Sequence, residues 1–406
     1  MSLGSYAPAS VEDVRSAVRD CADGSAGLLP VGGGARVHIG NTATKPLQTI
    51  STVRLNAIVE YNPDDLVVCS EAGMTLSALQ HTLAASGQWL PVDVADPDKQ
   101  TLGGITASRS NSMLRAGFGS VRDWLIGVEL VNADADVVVG GGKVVKNVAG
   151  YDLPRLYCGS WGTLGILTKI NFKVSPLPES DRSLLIILSN DRNAEELLDI
   201  VLARFTPSSA ILFNRFSAAR ILGSDASPSQ YLYLRFLGRS EDVDALIDSV
   251  AAASSPFASS VVALPSQLGL ALGRQLTDFS AVEAPLSVAY HILSSQVGAH
   301  VRMTEWIANK YGLTAEIGAD VSSGIVNAHF FGADETTDWG MFLPEFKDKA
   351  DRVGGSLVIE RMPESWRDSG VPVWSPVLAD FRIMKLIKNK LDPRGIFSPG
   401  RFMGGL

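Results

Sequence analysis

The sequence predicts an α+β protein of two domains. Its 406 residues suit two domains, and a hydrophobic content of 46% is enough for buried sheets. Three glycine-rich segments precede the prolines at positions 176 and 178, and the pattern of helices and strands changes after them. We therefore predict a first domain over residues 1–178 and a second domain over residues 179–390.

The first domain is predicted to begin with a helix and to continue with paired strands. Ser10 followed by Glu12 and Asp13 is typical of a helix N-terminus, so a helix is expected up to Cys21. Apolar and polar residues alternate over residues 49–71 around a turn at 62–65, which predicts paired strands. The other predicted elements are a strand at 27–31, a helix at 74–85 and strand-rich segments at 125–139 and 163–175.

The second domain alternates strands with helices. Its β-α-β runs predict one antiparallel sheet backed by helices, of the ferredoxin-like kind. Residues 254–275 are less patterned and are predicted to form a loop over the site. Strands are predicted at 184–188, 210–216, 231–237, 288–293, 325–331 and 356–361, and helices at 194–205, 240–253, 301–310, 339–353 and 377–391.

Composition and charge argue against several classes of function. The net charge is −8 and the basic residues are scattered, which disfavours nucleic acid as a partner. Cys21, Cys69 and Cys158 have the spacing of neither a zinc site nor an iron–sulfur cluster, and no metal is predicted. The first residues do not resemble a signal peptide, and no apolar run is long enough to span a bilayer. The cytoplasm is the predicted location.

The glycine-rich segments indicate that backbone lies close to a ligand. Consecutive backbone N–H groups, as in the loop at residues 32–36, can bind a diphosphate, although an ordinary tight turn explains that loop equally well. The GxGxxG spacing of a Rossmann site is missing, and no GKS or GKT follows as in a Walker A loop.

The order of motifs along the chain resembles one family of flavoproteins. The motifs are PVGGGARVHIG, TLGG, FGSVRD, KVVKNVAGYDLPRLYCGSWGTLGIL and LDPRGIFSPGRF. In this order they are similar to the FAD-binding subunit of bacterial glycolate oxidase, within the vanillyl-alcohol-oxidase superfamily. The resemblance is dense over residues 10–178 and returns at 391–402. It implies a two-subdomain PCMH-type FAD-binding domain over residues 1–178, completed by 391–406, and a cap domain over 179–390.

The resemblance also implies which residues contact the cofactor. It places one group around the FAD diphosphate, a second along the ribityl chain and isoalloxazine, and a third along the rest of the cofactor, with Ile166 near the adenine. Ala35 stands where relatives with covalent flavin carry histidine, so non-covalent FAD is expected. The stretch at 109–117 and Ser398 depart from the usual family pattern. The three groups are Val31, Gly32, Gly33, Gly34, Ala35 and Arg36; Thr101, Leu102, Gly103, Gly104 and Gly119; and Gly150, Tyr151, Gly162, Gly165 and Ile166.

Catalytic residues are not identified, but several polar side chains are candidates. Lys146 and Asn147 are expected near the flavin because the surrounding motif matches the family. In the second domain, an arginine could bind a substrate carboxylate and a histidine could accept a hydroxyl proton. The residues considered for these two roles are Arg215, Arg235, His291, His300 and His329.

The resemblance implies an FAD-dependent oxidoreductase subunit of a glycolate or related 2-hydroxyacid dehydrogenase. Hydride would pass from the substrate to FAD, and a second FAD subunit and an iron–sulfur subunit are the implied partners. Two alternatives stay open. The chain could be a stand-alone FAD dehydrogenase for another 2-hydroxy acid, or a non-catalytic subunit that binds FAD and supports assembly.

Overall fold

The described residues of the first half of the chain fold into three small sheets and six helices. The computed structural model describes residues 4–23, 25–142, 150–190, 193–223, 230–332, 339–352, 354–367, 370–377 and 379–406. In chain order the elements are β1 (Ser5–Tyr6), α1 (Val11–Asp20), β2 (Gly27–Val31), β3 (Leu47–Ser51), β4 (Ile58–Asn62), β5 (Val67–Glu71), α2 (Leu76–Ala84), β6 (Gln88–Trp89), α3 (Leu102–Ser108), α4 (Arg115–Phe118), α5 (Val121–Trp124), β7 (Leu125–Val131), β8 (Val137–Gly141), α6 (Leu153–Tyr157), β9 (Ile166–Lys173) and β10 (Ser175–Pro176).

Local sequence explains the ends of these elements. The predicted cap at α1 is present: the Ser10 hydroxyl accepts from Asp13 N, and Asp13 accepts from Ser10 N. The predicted pair β4 and β5 is antiparallel and belongs to a five-stranded sheet of order β4-β5-β9-β7-β8. Strands β1, β3 and β2 form a parallel sheet beside it, and β6 pairs with β10.

The second half forms one large sheet with helices. Its elements are β11 (Ser180–Leu188), α7 (Asn193–Arg204), β12 (Ser209–Phe213), α8 (Arg215–Leu222), β13 (Tyr231–Gly238), α9 (Ser240–Ser254), β14 (Ala258–Leu264), α10 (Ser266–Asp278), β15 (Leu286–His291), α11 (Val297–Lys310), β16 (Thr314–Asp320), β17 (Ile325–Phe331), α12 (Trp339–Arg352), β18 (Ser356–Arg361), α13 (Glu364–Arg367) and β19 (Trp374–Ser375), followed by α14 (Phe381–Leu391).

All nine strands from β11 to β19 join one antiparallel sheet. Its order is β14-β11-β13-β12-β16-β17-β15-β18-β19. Helices α7, α9, α11 and α12 cover one face of this sheet and form its main core. The predicted antiparallel sheet backed by helices is therefore confirmed. Helices α8 and α10 cover part of the sheet's other face, and the rest of that face, on β15, β17 and β18, is called the free face here and meets the first half of the chain.

The predicted loop at residues 254–275 is wrong. Strand β14 and helix α10 occupy most of this segment. Gly269 and Gly273, which suggest a loop, instead let α10 lie close to the sheet. A Cβ at Gly269 would lie 2.1 Å from the Ser183 hydroxyl, and one at Gly273 would lie 2.8 Å from the Tyr233 hydroxyl. The strand predicted at 210–216 ends early because Asn214 caps α8 by accepting from Ser217 N.

The end of the sequence returns to the first half of the chain. Phe397 pairs with Leu28 on β2, and Ser398 N donates to the Leu28 carbonyl at 2.9 Å. Lys388 of α14 is buried and donates to the Thr163 carbonyl at 2.7 Å and to Asp392 at 2.6 Å. These contacts fasten the last residues against β2 and the loop before β9.

Candidate functional site

A cavity lies beside the loop that follows β2, and we call it the glycine-loop cavity. Small residues are required in this loop because neighbouring segments lie against it. A Cβ on Gly32 would lie 2.0 Å from the Thr101 hydroxyl oxygen, and one on Gly33 would lie 1.7 Å from the Lys99 carbonyl oxygen. The lining residues are Leu29, Pro30, Val31, Gly32, Gly33, Gly34, Ala35, Arg36, Val37, Ile39, Thr52, Gln100, Thr101, Gly103, Gly104, Ala107, Ser108, Ser160, Trp161, Gly162, Gly165, Ile166, Leu167, Trp374, Arg401 and Phe402.

Most of the predicted cofactor residues meet at this cavity. All six from Val31 to Arg36, together with Thr101, Gly103, Gly104, Gly162, Gly165 and Ile166, line it. Four others do not. Leu102 is buried in the core, and Gly119 ends α4. Gly150 does not line the cavity, and the Tyr151 side chain is 93% exposed. Lys146 and Asn147 lie outside the described residues.

Arg36 provides this cavity with an unpaired hydrogen-bond donor. Its Nη2 donates to Glu360 Oε1 across to β18 at 2.7 Å, and its guanidinium lies 5.6 Å from the Trp161 ring centre. Its Nε is buried and has no partner among the described residues. A buried donor without a partner is costly, and a ligand oxygen would remove that cost. The Arg36 side chain and the closely approached glycine backbone therefore fit an anionic diphosphate such as that of FAD.

A second cavity of about 390 Å³, which we call the cleft, adjoins the first. One of its walls is the free face of the nine-stranded sheet. Ala289 and His291 on β15, Asn327 on β17, and Val358 and Glu360 on β18 lie on this face, because side chains two residues apart share a face of a strand. The six residues that line both cavities are Arg36, Gln100, Ser108, Trp161, Trp374 and Phe402.

The opposite wall of the cleft carries two arginines. Arg109 ends α3 in the left-handed conformation, with φ of 48°, and Arg115 begins α4. Side chains are uncommon in that region of φ, and such outliers concentrate at functional sites. Neither guanidinium forms an ion pair or side-chain hydrogen bond with any residue that the structure describes. Both positive charges are therefore free to bind an anion in the cleft.

His291 is the titratable group that faces these arginines. It is accessible from the cleft, and desolvation followed by the charges of Arg115, Arg109 and Arg36 lowers the pKa of His291 to about 4. The imidazole is therefore neutral at pH 7 and can accept a proton. Sequence reasoning named His291 but missed Arg109 and Arg115, although both lie in the stretch that departs from the family pattern.

The other candidates from the sequence lie elsewhere. His329 is buried and bonds the Ser287 hydroxyl at 2.9 Å and the Phe279 carbonyl at 2.8 Å, and His300 is buried against the Tyr290 ring. Arg235 forms an ion pair with Asp181 at 2.6 Å, and Arg215 is exposed at the start of α8. These four side chains stabilise the second half of the chain or face solvent.

The buried histidines predict a pH dependence of stability. Burial lowers the pKa of His300 and of His329 to about 4 in the folded state. Between that value and the unfolded pKa near 6.5, the unfolded chain binds more protons. The free energy of unfolding should therefore fall, as pH drops from about 6.5 to 4, by about 1.4 kcal/mol per pH unit for each histidine.

Denaturant unfolding at pH 7, 6 and 5 measures this slope. In the His329→Gln variant, the free energy of unfolding should depend less steeply on pH than in the wild type, and the difference should equal the contribution of one histidine. Equal slopes in the two proteins would contradict the assignment of a low pKa to His329.

The described residues contain neither a candidate metal site nor a membrane-spanning helix. Within the described ranges, no cluster of three or more His, Cys, Asp or Glu side chains could hold a metal ion. None of the helices that the structure describes combines the length and apolar character needed to cross a membrane.

Comparisons with known proteins support FAD as the cofactor. The profile of a family described as "FAD binding domain" matches residues 4–141. Glycolate oxidase subunit GlcE of Escherichia coli (strain K12) is 32% identical over 223 residues, which are 55% of this chain and 62% of the relative. Glycolate oxidase subunit GlcD of Bacillus subtilis (strain 168) is 30% identical over 203 residues, 50% of this chain and 43% of the relative.

The fold is shared more widely than the sequence. The solved structure of 4-ethylphenol oxidase from Gulosibacter chungangensis superposes with a TM-score of 0.77 at 18% identity, covering 98% of this chain and 89% of that one. The two glycolate oxidase relatives are matched over less than two thirds of their own length. The chain therefore has a PCMH-type fold with FAD as its cofactor, and over about half of its length it is similar in sequence to the glycolate oxidase subunits GlcD and GlcE.

Proposed function

We propose that this chain is an FAD-dependent oxidoreductase subunit that acts on a small 2-hydroxy acid such as glycolate. The observation that carries the proposal is the cleft beside the glycine-loop cavity. It holds two guanidinium groups without ion pairs among the described residues, opposite a neutral imidazole. A 2-hydroxy acid has one carboxylate and one hydroxyl, which need a cation and a proton acceptor, respectively.

Arg109 and Arg115 would bind the substrate carboxylate. A guanidinium donates two parallel hydrogen bonds to a carboxylate and fixes its orientation. The backbone of Arg109 at the end of α3, and the position of Arg115 at the start of α4, hold both side chains on one wall of the cleft. Their positive charge also attracts an anion into a space with little competing negative charge, since the cleft's Glu360 is already paired with Arg36.

His291 would accept the hydroxyl proton. Its low pKa keeps the ring nitrogen unprotonated in the charged cleft, so it is available as a base at neutral pH. FAD, when bound in the glycine-loop cavity, would accept the hydride that leaves the substrate's α-carbon. The chain's own residues bind the carboxylate, orient the α-carbon and take the proton from the hydroxyl oxygen.

The predicted cofactor residues form part of the proposal. Those that line the glycine-loop cavity would contact non-covalent FAD, with Arg36 and residues 32–35 at the diphosphate. The two relatives are named as subunits of an oxidase, which supports a multi-subunit enzyme. A second FAD subunit and an iron–sulfur subunit, the partners that the family resemblance implies, are proposed as its other members. The proposed location is the cytoplasm, with contact to a membrane only through partners.

Anaerobic reduction of the bound flavin tests the proposal. We expect flavin absorbance to bleach when glycolate or another small 2-hydroxy acid is added to the purified protein. His291→Asn should slow the reduction by about 10²–10⁴-fold because the proton acceptor is lost. Arg109→Met should raise the substrate concentration needed for half-maximal rate by about 10- to 100-fold, as expected for the loss of a charge-assisted pair.

Two matched variants control for nonspecific damage. His81→Asn changes an exposed histidine on α2, and Arg215→Met changes an exposed arginine on α8; neither residue lines the cleft. Both should reduce flavin at the wild-type rate. A protein that binds FAD but is not reduced by any small 2-hydroxy acid would contradict the proposal and favour a non-catalytic assembly subunit.

A further inference from the structure

Trp161 has a backbone conformation that bulky residues rarely adopt. Its φ is 53°, between Gly159 and Gly162, whose φ values are 86° and 66°. A positive φ is common for glycine but is an outlier for a large side chain. The conformation is held in place because Trp161 N donates to the Ala107 carbonyl on α3 at 2.8 Å. Such outliers persist where the surrounding structure fixes them, often beside a ligand.

The Trp161 ring stands where the two cavities meet. It lines both the glycine-loop cavity and the cleft, together with two other aromatic residues, Trp374 and Phe402. Its ring centre lies 5.5 Å from that of Trp374, edge to face, and 6.4 Å from that of Phe402, stacked. Trp374 and Phe402 are 5.1 Å apart. Three separate parts of the chain thus contribute Trp161, Trp374 and Phe402, which we call the aromatic cluster, to the wall that the two cavities share.

Packing accounts for only part of this arrangement. Trp161 is half-buried: it packs against the small core cluster that contains Trp374 and Met403, and the rest of its surface forms cavity wall. Of the six residues shared by the two cavities, these three are aromatic, and the other three are Arg36, Gln100 and Ser108. A planar ligand group that passes from one cavity into the other must contact the aromatic cluster.

We propose that Trp161, supported by Trp374 and Phe402, forms the wall against which the isoalloxazine ring of FAD binds. Flat aromatic surfaces attract each other through offset stacking and edge contacts. The choice of isoalloxazine over adenine rests on the proposed function, because the reacting ring must reach the cleft that holds Arg109 and His291. Ile166, expected near the adenine, lines the glycine-loop cavity but not the cleft.

Fluorescence of the bound flavin tests this contact without relying on catalysis. An indole ring in contact with isoalloxazine quenches its emission by electron transfer in the excited state. The wild-type complex should therefore emit weakly, and Trp161→Phe should raise the emission several-fold. Loss of the indole contact should also weaken FAD binding by about 2- to 10-fold. Trp306→Phe is the matched control, since Trp306 is 59% exposed on α11 and lines neither cavity.

Trp161→Gly provides a second test if the phenylalanine variant folds poorly. Glycine adopts the positive φ without strain, so the loop backbone should be retained while the ring is removed. Thermal unfolding of each variant without FAD separates a loss of folding from a loss of the flavin contact. Unchanged flavin emission in both variants, with wild-type FAD affinity, would overturn the proposal.

Titration with parts of the cofactor distinguishes its two rings. FMN carries the isoalloxazine without adenine, and ADP carries adenine without isoalloxazine. Trp161→Phe should weaken the binding of FMN and leave that of ADP unchanged; weaker ADP binding alone would overturn the assignment to isoalloxazine. A failure of the proposed function looks different, because the flavin would then be quenched by Trp161 yet remain oxidised with every 2-hydroxy acid.

Discussion

Replacing Asp392 with alanine is expected to lower the free energy of unfolding by about 3–5 kcal/mol, because it leaves a buried ammonium group without its counter-charge. Lys388 Nζ lies 2.6 Å from Asp392 Oδ2, and both side chains are buried. Asp392 also accepts from Ile396 N at 2.9 Å and from Phe397 N at 2.8 Å. The substitution would thus release the segment that pairs with β2, and denaturant unfolding measures the change.

An exposed ion pair is the control for this prediction. Asp244 accepts from Arg182 at 3.1 Å, with side-chain exposures of 60% and 40%, so Asp244→Ala should cost at most about 1 kcal/mol. Replacing both buried partners, as Lys388→Met with Asp392→Leu, should be less destabilising than Asp392→Ala alone. A cost below about 1 kcal/mol for Asp392→Ala would show that the buried pair does not hold the C-terminal segment.

Replacing Gly33 with alanine is expected to weaken FAD binding by about 10- to 100-fold, as for a side chain inserted into a filled space. The added Cβ would lie 1.7 Å from the Lys99 carbonyl oxygen, so the glycine loop must move away from the segment before α3. Arg36, with its unused Nε, would move with the loop. Titration of apoprotein with FAD, followed by flavin fluorescence, gives the dissociation constant directly.

Gly87→Ala is the comparison for the glycine variant. Gly87 follows α2 with φ of 67°, and no atom lies within 4 Å of an added Cβ. Its substitution should cost some stability through the positive φ but leave FAD affinity unchanged. If Gly33→Ala bound FAD as tightly as wild type, the glycine-loop cavity would not be the diphosphate site.

Elements with strong local signals could be predicted from the sequence. The cap at Ser10 and the turn at residues 62–65 between β4 and β5 each depend on neighbouring residues. Helix α10 could not be predicted this way, because Gly269 and Gly273 serve contacts with Ser183 and Tyr233 that are distant in sequence. A glycine that permits close packing and one that permits a turn look alike in a sequence.

The same limit applies to the site. The glycine loop is a local motif, and most of its predicted cofactor residues lie at one cavity. Arg109, Arg115 and Trp161 become site residues only because the free face of the nine-stranded sheet lies opposite them. His291 was one of three equivalent histidine candidates, and strand register alone does not single it out. His329 lies on the same face of the sheet but is covered by Phe279, whereas His291 lines the cleft. Which face of a strand meets another part of the chain is decided by packing at long range.

The pairing of Phe397 with Leu28 has a consequence for the order of events during synthesis. Leu28 on strand β2 leaves the ribosome early. Its partner Phe397 emerges only after all nine strands of the large sheet have been translated. Arg401 and Phe402, which complete the wall of the glycine-loop cavity, emerge later still. Nascent chains should therefore be unable to retain flavin, and cofactor loading should be among the last steps of maturation.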